Sequence, residues 1–231
     1  MSAEARRRAY LDALQIDVYT LKGGEAEMAV NPVHETDPSF QGEPASDWKS
    51  LRQTVADCTR CSLHQTRTQT VFGVGNPAAD WMIVGEAPGQ EEDRRGEPFV
   101  GRAGKLLDEM LLSLGLDRGS VFIANILKCR PPNNRDPSAD EAASCRSYLE
   151  QQIDFVAPKI IIAVGRIAAQ HLLNTDAPVG RMRGQRHVLE ERQLPVVVTY
   201  HPAYLLRSPT QKRKVWQDLL MARQVMRETI P

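Results

Sequence analysis

The sequence predicts an α/β fold: a central four-stranded, mainly parallel sheet with helices on both faces, a three-layer α/β/α arrangement. Two observations carry that expectation. Four short runs, WMIVG (81–85), VFIAN (121–125), IIIAVG (160–165) and VVVTY (196–200), are nearly continuous in apolar residues, as strands buried on both faces are. Between them lie segments with helical spacing, so strand and helix alternate along the chain. With 231 residues, 42% of them hydrophobic, there is enough apolar side chain for one substantial core.

Taken in order, residues 5–22 read as a short amphipathic helix and a following segment. Gly23 to Ser46, rich in Gly, Pro, Ser and acids, reads as a flexible linker. The expected division is therefore an N-terminal extension over 1–47 and a folded domain over 48–231. Asp47 is suited to cap a helix running through Ala56. After the first strand, GRAGKLLDEMLLSLG puts Leu106, Leu107, Met110, Leu111 and Leu114 on one face and stops at Gly115. A long helix capped by Asp136 or Ser138 should end before Pro158. In such sheets ligands bind beyond the carboxyl ends of the strands, which singles out EAPGQEED, ILKCRPPNNR and HPAYLLR.

Charge adds a weaker indication. The formal net charge is zero, yet from Val156 onward there are 12 Lys and Arg against 5 acids, while the first 50 residues hold 5 against 9. A basic C-terminal third is compatible with a polyanionic partner and equally with ordinary solvated surface. No apolar run reaches the roughly 18 residues of a membrane span, and the N-terminus has no apolar stretch after its arginines, so a cytoplasmic protein is expected.

The glycine-rich stretch GEAPGQEEDRRGEPFVGRAGK (85–105) is not a phosphate loop. A Walker loop ending at Gly104-Lys105 needs glycine at 99 and a hydroxyl at 106, where Phe99 and Leu106 stand. The dinucleotide fingerprint is also missing, because Gly85 is followed by Glu86, Ala87 and Pro88. Pro98-Phe99 instead places an aromatic ring on an exposed loop near a strand end, suited to stacking on a flat ligand.

Four cysteines remain, Cys58 and Cys61 in a C-x2-C pair, then Cys129 and Cys145. All-thiolate ligation with this irregular spacing suits a cubane iron–sulfur cluster at least as well as zinc, and spacing alone leaves the metal open. His201 stands just past the fourth strand, where a histidine can face a ligand. Leu205, Leu206 and Arg207, with the KRK run at 212–214, read as an apolar wedge beside phosphate-binding charges. Asn125 closes the second strand with an amide able to read a nucleobase edge.

Together GEAPG, GEPFVGRAGKLL, NILKCRPPNNR, the four cysteines and HPAYLLR resemble the family 4, iron–sulfur-containing uracil-DNA glycosylases, over about residues 50–225. The resemblance implies a monofunctional enzyme that flips uracil from single- or double-stranded DNA, hydrolyses its glycosidic bond and leaves an abasic site. It also implies a structural 4Fe–4S cluster on Cys58, Cys61, Cys129 and Cys145, with no membrane partner and a monomeric state. Gly85, Glu86 and Ala87 would approach the flipped nucleotide and the water. Phe99 would stack on uracil, Asn125 would read its edge, and His201 would donate to O2. Glu92 would exclude a 5-methyl group, and Leu205, Leu206 and Arg207 would enter the minor groove. Where the best-known uracil glycosylases place a water-positioning aspartate this chain has Ala87, so either Glu86 orients the water or stabilisation of the leaving uracil carries most of the rate. A covalent-trapping relative uses a histidine in an extended loop after the first motif. No histidine lies between His64 and His171 here, so turnover is expected. A non-catalytic uracil-binding module and an iron–sulfur redox protein are the alternatives.

Overall fold

The structure is a computed structural model that describes Ala45 and residues 47–229. The chain divides into two units, Met1–Gly42 and Glu43–Pro231. The short helix expected within 5–22, the linker and all of the 1–47 extension except Ala45 and Asp47 lie outside the described residues.

Helix α1 (Trp48–Ala56) leads the second unit, its first turn capped by Asp47, which accepts from the Ser50 amide at 2.8 Å. Then come β1 (Val74–Gly75), β2 (Trp81–Gly85), α2 (Gln90–Arg95) and α3 (Arg102–Leu112). They are followed by β3 (Val121–Asn125), α4 (Ala139–Val156), β4 (Ile160–Val164), α5 (Arg166–Leu173) and α6 (Val179–Met182). The chain closes with β5 (Arg186–Leu189), β6 (Leu194–Thr199), α7 (Pro202–Arg207) and α8 (Lys212–Thr229).

The sheet has six strands, in the order β1-β3-β2-β4-β6-β5, rather than four. The four expected strands form its parallel centre, and β1 and β5 add antiparallel edges. Both edges escape sequence reading for a physical reason. β1 is two residues long, too short for any period, and β5 is half-exposed with an arginine at its start.

The central strands are buried throughout because consecutive side chains feed opposite layers. Met82 and Phe122 pack with Leu51, Val55, Tyr148 and Ile153 from α1 and α4. Ile83 and Ile123 pack on the other side with Leu107, Leu111 and Leu219 from α3 and α8. Helix α4 starts at a reciprocal cap: the Glu141 carboxylate accepts from the Ser138 amide at 2.9 Å while Ser138 Oγ accepts from the Glu141 amide at 3.3 Å. Arg135 grips the same carboxylate at 2.6 and 2.8 Å, which with the Ser138 cap holds its pKa down to about 2. The helix ends in a left-handed Ala157 ahead of Pro158. Buried Asp218 of α8 ties that helix to the end of β6, accepting from Thr199 Oγ1 at 2.8 Å and pairing with Arg183 at 2.8 Å. Among the described residues no helix is long and apolar enough to cross a membrane.

Candidate functional site

Beyond the carboxyl ends of β2, β3 and β6 opens a cleft of about 630 Å³, within the size range of small-molecule sites. Glu86, Ala87, Glu92, Phe99, Asn125 and His201 all line it, as does Arg207. The register explains the meeting of the first two motifs: β2 and β3 run parallel with Gly85 beside Asn125, and the pairing continues as the Ile126 and Leu127 amides donate to the Gly85 and Glu86 carbonyls. Gly85 is the floor of this corner. A Cβ there would stand 2.4 Å from Asn125 Oδ1 and 2.5 Å from the Phe99 ring, so only glycine lets both side chains close over the strand end.

Asn125 is 2% exposed, and its Oδ1 has no hydrogen-bond partner among the described residues. A buried acceptor left unpaired costs about 1–3 kcal/mol. Here it sits in the wall of the cleft, available to a ligand N–H. The Phe99 ring is buried, 6% exposed, rather than standing on an exposed loop, and it is stacked at 5.6 Å from the His201 ring. Its backbone is left-handed, at φ 55°, a costly conformation for a bulky residue. The surroundings enforce it: Arg118 donates to the carbonyls of Pro98, at 3.1 Å, and of Phe99.

His201 caps helix α7, its Nδ1 accepting from the Ala203 amide at 3.2 Å. Nδ1 being an acceptor, the ring proton resides on Nε2. Burial first and the Arg207 charge second push the His201 pKa down to about 4, against a smaller upward pull from Glu92. At neutral pH the side chain is therefore a neutral imidazole with one N–H to give.

The carboxylates divide their work. Glu92 spans two loops: Oε1 accepts from the Val100 and Gly101 amides at 2.9 and 3.1 Å, and Oε2 from the Gly89 amide at 3.1 Å. It is thus a clamp as well as a lining group. Glu86 has no such partners, and burial, followed by the nearby Asp136 charge and opposed by Arg166, raises its pKa to about 7.

The 205–207 segment departs from expectation. It lies on a helical turn, α7, and Leu205 is 1% exposed in the core with Leu107 and Leu219, so Leu205 cannot enter a groove. Leu206, 39% exposed, and exposed Arg207 point outward from the same turn. One residue of helical phase separates the two leucines.

The four thiols are unpaired and line one small cavity together with Tyr148, Arg67 and Lys128. Arg67 Nη1 donates to Cys129 Sγ at 3.1 Å. Burial raises the Cys129 thiol and pushes Cys145 up to about 12, so a cation is needed to hold them as thiolates. Among the described residues no three His, Cys, Asp or Glu are gathered closely enough for one metal ion.

Sequence reading missed three supports of the site. Gly104 lets α3 abut the Phe99 carbonyl, and Gly165, at φ 102°, leaves room for His201, whose Cβ lies 3.0 Å from where a Gly165 Cβ would stand. Arg118 is the third. All three act through contacts distant in sequence. The one local signal was the density of glycine in GRAGK, which carries no hint of what approaches it.

Residues 72–220 match the family described as the uracil DNA glycosylase superfamily. The chain is 45% identical over 170 residues to the type-4 uracil-DNA glycosylase of Archaeoglobus fulgidus, covering 71% of this chain and 85% of that protein. It is 42% identical over 184 residues to the type-4 uracil-DNA glycosylase of Sulfurisphaera tokodaii, covering 77% and 84%. A similar 42% over 181 residues relates it to the type-4 enzyme of Pyrobaculum aerophilum, covering 76% and 92%.

Proposed function

The chain belongs to the type-4 branch of the uracil-DNA glycosylase superfamily, and from that premise we propose that it flips uracil out of DNA and hydrolyses its N-glycosidic bond, releasing free uracil and leaving an abasic site for base excision repair. The observation that carries the reading is the pairing, in one cleft, of the unpartnered Asn125 Oδ1 with the neutral N–H of His201 beside an aromatic face. Uracil offers N3–H to an acceptor and O2 and O4 to donors. The Asn125 amide in this orientation accepts from N3–H and donates to O4, whereas cytosine presents an acceptor and a donor at those places and is refused.

Flipping costs a few kcal/mol, least at a mispair. Stacking on Phe99 recovers part of it. The glycosidic bond then breaks toward an oxocarbenium-like sugar as negative charge grows on uracil O2, and the His201 N–H hydrogen bond strengthens with that charge. Glu92, fixed by three amides, is the rigid group assigned to exclude thymine's 5-methyl. Leu206 and Arg207 face DNA, while Leu205 supports them from the core. The exposed Lys212–Lys214 run opens α8, and cations at that helix end are disfavoured unless phosphates stand nearby.

Glu86 is assigned to orient the attacking water in place of the carboxylate absent at Ala87. With its pKa near 7, ionised Glu86 accumulates only as pH rises through neutrality, so excision should show an acid limb close to pH 7. In Glu86→Gln that limb should vanish and the single-turnover rate fall about 10²-fold. Near-wild-type rates in that variant eliminate Glu86 as an essential base.

The cysteine set fits a 4Fe–4S cluster held by Cys58, Cys61, Cys129 and Cys145. Four free thiols line one cavity, the all-thiolate donor set that a cubane takes. Bound there, the cluster supplies the positive charge that keeps buried sulfurs as thiolates and ties the segment before β1 to the start of the Cys129 loop and to α4.

Asn125→Leu keeps the branching and the number of side-chain heavy atoms and removes both polar atoms. Excision should fall about 10-fold to 100-fold, with a matching loss of affinity for free uracil as inhibitor. The enzyme reading as a whole is tested with single-stranded and duplex DNA carrying one uracil, incubated and then cleaved with alkali. Intact strands in every context sink it.

A further inference from the structure

Lys128 is an ammonium at 1% exposure, placed between the end of β3 and Cys129. Its Nζ donates to the main-chain carbonyl of Asn125 at 2.7 Å and to Gln152 Oε1 at 2.6 Å. Gln152 is in turn fixed, its Nε2 donating to the Phe72 carbonyl at 2.8 Å. Both acceptors of Lys128 are neutral, and among the described residues it forms no ion pair with a carboxylate. A buried cation without countercharge is among the costliest arrangements a core can contain. One source of negative charge is at hand: Lys128 lines the same cavity as Cys58, Cys61, Cys129 and Cys145. Among the described residues its Nζ makes no hydrogen bond to a sulfur, so its link to that cavity is one of charge.

We propose that Lys128 is a positioning residue that couples the two centres of the protein, neutralising the thiolate-held cluster on one side and holding the backbone of the uracil-reading Asn125 on the other. The inference rests on the cluster reading above. Asn125 depends on such a hold because, among the described residues, its Oδ1 makes no hydrogen bond that would orient the side chain, so its aim into the cleft is set through its main chain. On this account the cluster, besides clamping its segments, sets the charge that keeps Lys128 in place. Uracil on Asn125 and the electronic surroundings of the cluster are then linked through one side chain. Linkage of this kind is reciprocal.

The test uses the full-length protein with its cofactor. Iron and acid-labile sulfide are assayed first, since their absence from a folded wild type overturns the cluster reading and this proposal with it, while leaving the base pocket untouched. Free uracil is then titrated while the visible circular dichroism of the cluster is recorded. The expected result is a saturable spectral change whose midpoint coincides with uracil binding measured independently. Lys128→Met, with iron and sulfide unchanged, should lose that spectral response and bind free uracil about tenfold more weakly. A wild-type cluster spectrum indifferent to saturating uracil overturns the coupling, and so does a loaded Lys128→Met protein with native response and affinity. If that variant does not hold its cluster, the wild-type titration decides.

Discussion

Replacing His201 with alanine is expected to slow single-turnover uracil excision by about 10²–10³-fold, the loss that follows removal of one donor aimed at a developing anion. The side chain is prepared for that task before substrate arrives. Its Nδ1 is engaged by the Ala203 amide, its ring is stacked on Phe99, and Gly165 leaves the space it occupies. Because the hydrogen bond gains strength as charge builds on O2, the loss should fall on kcat and leave KM nearly unchanged. Free uracil inhibition should weaken less than the rate does.

The pH behaviour of His201 separates its role from that of Glu86. With a pKa held near 4, His201 keeps its neutral donor form throughout the neutral range, so it adds no limb there. In Glu86→Gln excision should therefore be flat across the neutral range. Stability follows the same shift: as pH falls from about 6.5 toward 4 the unfolded chain takes up a proton that the folded chain refuses. The contribution of His201 is therefore present above pH 6.5 and lost as pH falls through 4. Chemical denaturation across that window should show a shallower pH slope in His201→Ala than in wild type.

What the sequence made legible was whatever local pattern encodes. The central strands could be read because both faces are buried and their residues are almost uniformly apolar, and helix α4 because a cap at Asp136 or Ser138 and the stop before Pro158 bound it. The site residues could be placed near one another because ligands gather at strand carboxyl ends. The remainder was decided by contacts that no short window contains. Leu205 and Leu206 are adjacent and chemically identical, yet one is core and the other surface, and a six-residue helix gives too little phase to say which. Glu92 looked like a lining group alone, whereas three amides from two loops converge on it. Lys128 carries no local sign of burial, and only the fold sets it against Gln152, 24 positions away.

Gly104→Ala is expected to be the most damaging single methyl in the protein's cleft region. A Cβ at 104 would lie 1.6 Å from the Phe99 carbonyl oxygen and 2.2 Å from its carbon, both backbone atoms that cannot rotate aside. Relief requires either α3 to withdraw or the Phe99 turn to leave its place. The first breaks the packing of Leu107 and Leu111 on the sheet, and the second pulls Phe99 off His201 and away from Arg118. Either route costs about 3–5 kcal/mol, the range of the severe substitutions, which corresponds to a Tm drop of roughly 10 °C for a domain of this size. Uracil affinity should fall in parallel, because the aromatic wall of the cleft moves in both cases. Gly101→Ala in the same motif is the control. Gly101 has φ −83°, and a Cβ there meets nothing closer than Glu92 Oε1 at 3.6 Å, so stability and uracil binding should stay near wild type. A Gly104→Ala protein with unchanged Tm and unchanged affinity for free uracil would show that the Phe99 turn is not held by this contact. The glycines of GRAGK would then have to be explained by something other than the approach of α3 to Phe99.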